Sequence, residues 1–182
     1  DMSIEEIVRT VAKAKDLPLG NFTVIMLERD RHAGMLSVLR KLGVRIILIP
    51  DGDIAGAVVS CMADSGVDLL LGAGAGPEAT IAATAVKCLG GTMLAKVWQD
   101  KKDDPKRLDR LKLAGVDVNK TYNQDELAKG NELVFAASGV TKGELLDGVR
   151  LLPYGAVVHS ICMRLPSGTC EKSETTLRRS PS

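Results

Sequence analysis

Aromatic side chains are scarce in this chain, with one Trp, two Tyr and two Phe among 182 residues. A reader of single-stranded nucleic acid needs aromatic platforms beside a basic groove, and the near-even balance of 24 basic and 23 acidic residues supplies no such groove. Nucleic acid is not an expected partner, and the same balance offers nothing to an anionic membrane surface. No apolar run approaches the roughly 20 residues of a membrane-spanning helix. The opening DMSIEEIVRT also lacks the basic-then-apolar order of a signal peptide.

Cysteine and histidine are sparse too. Cys61, Cys88, Cys162 and Cys170 contain no C-x-x-C pair and are too few for a disulfide framework in a chain this long, so a reducing, cytoplasmic setting is expected. The cysteines read as packing on core faces. His32 and His159 lie too far apart in sequence to form a recognisable ligand pair, and each reads as structural or surface. Ser138 and Thr141 have no histidine nearby, so nothing supports a serine-hydrolase reading.

What the chain does contain is 45% hydrophobic and 26% charged residues, the profile of one ordinary globular domain. Ser3 with Glu6 makes a capping box for a first helix with Ile4, Ile7, Val8 and Val11 inward. Three strand-turn-helix units follow at a spacing of roughly 22 residues, the mark of a mainly parallel sheet built from βαβ crossovers. Their strands are residues 21–27 (NFTVIML), 44–50 (VRIILIP) and 67–71 (VDLLL). Gly43 ends the first following helix, and Asp53 is read as N-cap of the second. The third helix is predicted to bury Ile81, Ala82, Ala85, Val86 and Leu89 before stopping at Gly90-Gly91.

The turns after these strands, ERDRH, DGD and GAGAGPE, leave the carboxyl ends of parallel strands, where open α/β sheets bind ligands. Small residues let backbone N–H groups approach an anion, Pro77 suits the start of a helix, and Glu78 in the first turn is placed to hold a cation that bridges to a phosphate. Arg29, Arg31, Asp51 and Asp53 complete a set suited to a phosphorylated polyol. Each feature has a plainer reading. The glycine turn also serves close packing, Asp51-Gly52-Asp53 also serves as a tight turn with a cap, and the arginines also serve as solvated charges. A nicotinamide cofactor is discounted, since Pro77 stands where the third glycine of the dinucleotide fingerprint belongs.

Beyond this point residues 93–98 are apolar and residues 99–104 form a charged surface loop. Pro105 opens a helix ending near Gly115, and Asn123 with Glu126 caps a short helix to about Lys129. Residues 132–137 (ELVFAA) read as a buried strand, and residues 149–153 and 156–165 as an antiparallel C-terminal hairpin. The polar tail from 173 to 182 is expected to fray. Because the first residue is Asp1 rather than an initiator methionine, the chain is expected to be part of a longer enzyme.

Taken together, five collinear stretches closely resemble class II fructose-1,6-bisphosphatase. They are LERDRHAG (27–34), IPDGDIAGA (49–57), GVDLLLGAGAGPEAT (66–80), KCLGG (87–91) and VFAASGVTKGELLDGV (134–149). This is the bacterial type, including cyanobacterial enzymes that also act on sedoheptulose 1,7-bisphosphate. The resemblance covers nearly the whole chain but only the C-terminal half of the family.

It implies a layered α/β sandwich like that of the lithium-sensitive phosphatases, with residues 1–172 as its C-terminal domain and an N-terminal metal-binding domain lying outside this chain. It also implies hydrolysis of the 1-phosphate of fructose 1,6-bisphosphate with Mg²⁺ or Mn²⁺, in gluconeogenesis, by a homo-oligomer. On this resemblance Glu78 is the catalytic metal ligand, Arg29 and Arg31 bind substrate phosphate, and Asp51, Gly52 and Asp53 meet sugar hydroxyls. Gly74, Ala75 and Gly76 supply N–H groups and room at the sugar. Asp30 departs from the family's usual proline and puts an acid between the two arginines. Ala75-Gly76 stands where Gly-Ala is usual and Ala79 where Gly is usual, both small changes. The competing reading is a non-catalytic phosphosugar-binding or oligomerisation module that keeps the half-site.

Overall fold

The computed structural model describes residues 2–99 and 105–178. Helix α1 (Ile4–Ala14) begins at the expected capping box: Ser3 N–H donates to Glu6 Oε2 at 2.6 Å and Glu6 N–H to Ser3 Oγ at 3.3 Å. It buries Val8 and Ala12.

Strand β1 (Thr23–Leu27) is buried at all five positions because it is the central strand of a parallel sheet ordered β2-β1-β3 and is covered on both faces. Its partners are β2 (Arg45–Ile49) and β3, which is shorter than predicted at Leu69–Leu70. Alternation along β1 divides the core. Val24 and Met26 pack against Val8 and Ala12 of α1 and Met35 and Leu39 of α2 (Ala33–Leu42). Ile25 and Leu27 face the other way, toward Val59 of α3 (Asp53–Ser60). Gly43 closes α2 in the left-handed region at φ 72°, as its place after the apolar stripe predicts. The chain thus steps from β1 to one neighbour through α2, then to the opposite neighbour through α3. Between β1 and β3 the order of strands reverses, and at such a reversal the connecting turns part to leave a crevice at the carboxyl edge.

Helix α4 (Gly76–Cys88) packs along α3 through Ala82 and Val86 against Ala57. Its far side, with Val58 of α3, meets a second sheet through Ala85 and Cys88 against Phe135, Ile161 and Met163. Helices α3 and α4 therefore lie between the parallel sheet and an antiparallel one. The latter contains β6 (Val134–Ser138), β7 (Arg150–Leu152), β8 (Gly155–Arg164) and β9 (Thr169–Arg178), with β6 and β7 along one side of β8 and β9 along the other. A small antiparallel pair, β4 (Leu94–Lys96) with β5 (Thr121–Asn123), flanks α5 (Pro105–Leu113) and α6 (Gln124–Leu127). The capping box at α6 forms as expected, with Asn123 Oδ1 accepting from Glu126 N–H at 3.0 Å.

Several expectations need correction. The sheet of the three βαβ units is parallel as expected but holds only three strands, and the other six strands in the described residues pair antiparallel in two further sheets. The fraying expected from residue 173 gives way to strand as far as Arg178, β9 pairing with β8 over ten residues and His159 lying 3.4 Å from Glu174 across the ladder. Residues 179–182, and residues 100–104 of the expected charged loop, lie outside the described residues. Ile81 is 47% exposed, and the fully covered Ala83 takes a place on the inward face of α4. Gly52, not Asp53, holds the cap position of α3, in the left-handed region at φ 94°; Asp53 is the first helical residue. Burial raises the thiol pKa of Cys61 and Cys88, consistent with inert packing, whereas Cys170 is exposed on β9.

The ends of α3 and α4 approach closely at Gly91, where an added Cβ would lie 2.5 Å from Cys61 Sγ and 3.2 Å from Val86 Cγ1. Gly91→Ala is expected to destabilise the fold by about 1–3 kcal/mol in urea unfolding, and Cys61→Ala in that background to restore part of the loss. A double variant no more stable than Gly91→Ala alone would contradict this packing.

Candidate active site at the carboxyl edge of the parallel sheet

After β1 the chain leaves Arg29 extended, makes one 3-10 turn over Asp30–His32 and enters α2. That turn swings the His32 side chain inward, where it is 2% exposed. Its Nδ1 lies 2.8 Å from the carbonyl oxygen of Leu27, and its Nε2 lies 2.9 Å from the amide nitrogen of Ala73. A carbonyl can only accept, so Nδ1 carries the hydrogen and Nε2 accepts from Ala73 N–H. The neighbouring Arg31 donates from Nε to Ala73 O at 2.8 Å. Two consecutive side chains thus grip both ends of Ala73 in the glycine turn.

Arg29 ties the first turn to the second. One of its terminal nitrogens donates to Glu28 O at 2.9 Å and Pro50 O at 2.7 Å, and the other lies 3.9 Å from Asp51 Oδ1. Asp51 is 94% exposed at the side chain, so this pair contributes little stability, and its carboxylate also accepts from Gly52 N–H at 2.9 Å. Asp53 accepts from Ile54 N–H through Oδ1 at 3.0 Å. Its other oxygen sits where a Cβ on Gly74 would come within 2.6 Å, so the second turn meets the third and position 74 has no room for a side chain. A Cβ at Gly76 would meet nothing and one at Gly72 only ordinary contact.

The glycine turn ends at Ala75, which caps α4 from an extended conformation without a side-chain bond. The amides of Gly74, Ala75, Gly76 and Glu78 have no hydrogen-bond partner among the described residues. They lie at the positive end of a 13-residue helix. The terminal nitrogens of Arg31 are likewise unpartnered among the described residues. Glu78, third residue of α4, has Oε2 buried with no hydrogen-bond partner. A buried carboxylate oxygen without a donor is costly, and a cation is the natural complement. Among the described residues, however, no three His, Cys, Asp or Glu side chains cluster as a metal would require. One carboxylate fits one ligand position of a divalent ion and not a complete site.

The structure therefore ties Arg29 to Asp51 and Arg31 to Ala73 and sets Asp53 beside Gly74, with Ala75, Gly76 and Glu78 following in the same turn and helix start. A cleft of about 220 Å³ opens beside Glu28, Arg29, Asp30 and His32. A larger one of about 280 Å³ lies on the antiparallel sheet between Ser138, Ser160 and Ser173, away from these turns. The unpartnered amides and cations are at the turns, and these decide where an anion would sit. Sequence reasoning did not anticipate Leu145, which packs against the buried cluster of Ile25, Leu27, Ile49, Val59 and Val67 and brings the loop after β6 to the parallel sheet. A leucine in a polar loop was the available signal.

The arrangement defines an α/β protein whose unpartnered amides and arginine nitrogens gather at the switch point of a parallel sheet. The chain belongs to the bacterial fructose-1,6-bisphosphatase family: residues 1–177 match the family described as "Bacterial fructose-1,6-bisphosphatase, glpX-encoded". It is similar to fructose-1,6-bisphosphatase 2 class 2 of Escherichia coli strain K12, at 34% identity over 173 residues, covering 90% of this chain and 54% of that protein. It is also similar to fructose-1,6-bisphosphatase class 2 of Haemophilus influenzae, at 33% identity over 185 residues, covering 96% of this chain and 56% of that protein. The chain spans about half the length of the curated relatives it matches.

If Glu78 Oε2 has no protein partner, Glu78→Gln removes a charge without breaking a bond. In chelator-treated protein the variant is expected to keep its melting temperature. A loss above about 1 kcal/mol would reveal a hydrogen bond made by the carboxylate within the fold.

Proposed function

We propose that this chain is the C-terminal α/β domain of a class II fructose-1,6-bisphosphatase and supplies half of its site. The reaction is hydrolysis of the 1-phosphate of fructose 1,6-bisphosphate to fructose 6-phosphate and phosphate, a gluconeogenic step in the cytoplasm. The observation that carries this reading is the meeting of unpartnered amides, an arginine with open terminal nitrogens and an orphaned buried carboxylate oxygen at one sheet edge. Family membership supports a sugar bisphosphate as the substrate.

In this reading Arg31 and the amides of Gly74, Ala75 and Gly76 bind and orient phosphate. Arg29 steadies the second turn and adds positive charge. Asp51 and Asp53, with the Gly52 backbone, accept hydrogen bonds from sugar hydroxyls. Glu78 offers its free oxygen to Mg²⁺ or Mn²⁺, and the bound ion supplies polarisation of a phosphoryl oxygen and a nucleophilic water. The remaining carboxylates come from the portion of the enzyme outside this chain, and the assembled enzyme is a homo-oligomer. The absence of a three-ligand cluster among the described residues favours one rival, a non-catalytic phosphosugar-binding or oligomerisation module that retains the half-site.

Two measurements separate these readings. The purified 182-residue chain, free of host enzyme, is expected to release no phosphate from fructose 1,6-bisphosphate, since one carboxylate cannot hold a divalent ion against water. Robust turnover by it would mean that no outside ligand is needed. In a chain extended by the remaining half, hydrolysis is expected, and Glu78→Gln should raise the metal concentration for half-maximal activity and sharply lower kcat. Near-normal turnover and metal dependence in that variant would leave Glu78 as a helix-start residue. An extended chain that binds the sugar bisphosphate without hydrolysing it would support the binding-module reading.

A further inference from the structure

His32 is the buried titratable side chain that the proposed chemistry leaves unused, and both of its ring nitrogens are committed to backbone. One bond goes to Leu27 O, the last carbonyl of the central strand, and the other receives Ala73 N–H, directly before the unpartnered amides. We propose that His32 is a positioning residue: it references the phosphate-binding turn to the end of β1, so that the amides of Gly74, Ala75 and Gly76 face the substrate phosphate without further rearrangement. This rests on the phosphatase reading above.

An irregular turn of small residues has many accessible conformations, and ordering it on binding would cost affinity. The turn is instead held at Ala73 by His32 and Arg31, and Asp53 fills the space beside Gly74. Of these, His32 alone is buried, and β1, which it uses as anchor, is the most completely covered strand. Arg31 and Asp53 are at least partly solvated and belong to the set that meets the substrate, so they move with it. The imidazole also has the reach to donate at one nitrogen and accept at the other in one rigid ring, which no shorter polar side chain matches. His32 touches neither substrate nor metal in this scheme, and its effect is on binding through the turn.

Two substitutions separate the bonds. In His32→Asn the side-chain amide takes the place of Nδ1 and keeps the Leu27 anchor while releasing Ala73. In His32→Gln the terminal amide oxygen reaches the place of Nε2 and keeps Ala73. Both are expected to lower the melting temperature of the full-length enzyme. His32→Asn should raise KM and the Kd for fructose 1,6-bisphosphate by about tenfold or more, with a smaller effect on kcat, while His32→Gln stays within about threefold of the parent. Equal KM values in both variants, with activity lost only in step with folded protein, would overturn the positioning role. Hydrogen exchange on the unsubstituted enzyme provides a check that needs no variant to fold. Ala73 N–H should be protected before substrate is added, and Gly74 to Gly76 only after; free exchange at Ala73 would overturn the clamp. Absence of sugar-bisphosphate binding by the parent would overturn the functional reading itself, whereas a binding, active parent with an unaltered His32→Asn overturns only this inference.

Discussion

A single buried imidazole joins the end of the central strand to a turn that has no regular structure of its own. The hydrogen bonds from His32 to Leu27 O and from Ala73 N–H are short, shielded and made between fixed backbone groups, so they are among the firmest polar contacts at this edge. Much of the architecture follows. With Ala73 fixed, α4 starts where its N-terminus faces the crevice. With α4 so placed, its alanine face meets α3, and its far side receives Phe135, Ile161 and Met163 of the antiparallel sheet. The second sheet is thus located, through two layers of packing, by where the glycine turn is pinned.

The same edge gathers polar groups that the fold does not pair. Gly74, Ala75, Gly76 and Arg31 are exposed, so water can serve their donors, whereas Glu78 Oε2 is buried without a partner, which native proteins rarely leave so. Together these groups are complementary to one chemistry: solvent-open donors and positive charge in the turn and Arg31, and a bare carboxylate oxygen at Glu78. Phosphate answers the first and a hard cation the second. That the carboxylate stands alone agrees with a chain that spans about half of its relatives.

How much of this was legible in the sequence depended on whether the deciding interaction was local. Helix starts at Ser3 and Asn123 were readable because a capping box is four residues long. The parallel units were readable from apolar runs punctuated by turns, and the site turns followed from their place after strands. Strand β9 was not, because Thr, Glu, Lys and Ser alternate with no apolar face, and its only reason to be extended is the ladder with β8. Ile81 misled because a helix held between two sheets and a neighbouring helix buries its small side chains most deeply and turns a large one outward. Asp53 resembled a cap by type, but the left-handed turn at Gly52 shifted the helix start by one residue. His32 read as either structural or surface, and its partner, Ala73, lies 41 residues away, beyond any spacing rule.

Among the described residues strand β9 pairs on one side only, leaving an edge of ten exposed residues next to a strand of equal length. Such an edge is ordinarily a template for indiscriminate strand addition and fibril growth. Its side chains work against that. Glu171 projects to one face, and Lys172, Glu174 and Arg178 to the other, so an arbitrary newcomer stacking across either face would meet ionised groups that act as gatekeepers. A hairpin with the hydrogen-bonding capacity of an amyloid seed therefore carries its own protection against becoming one.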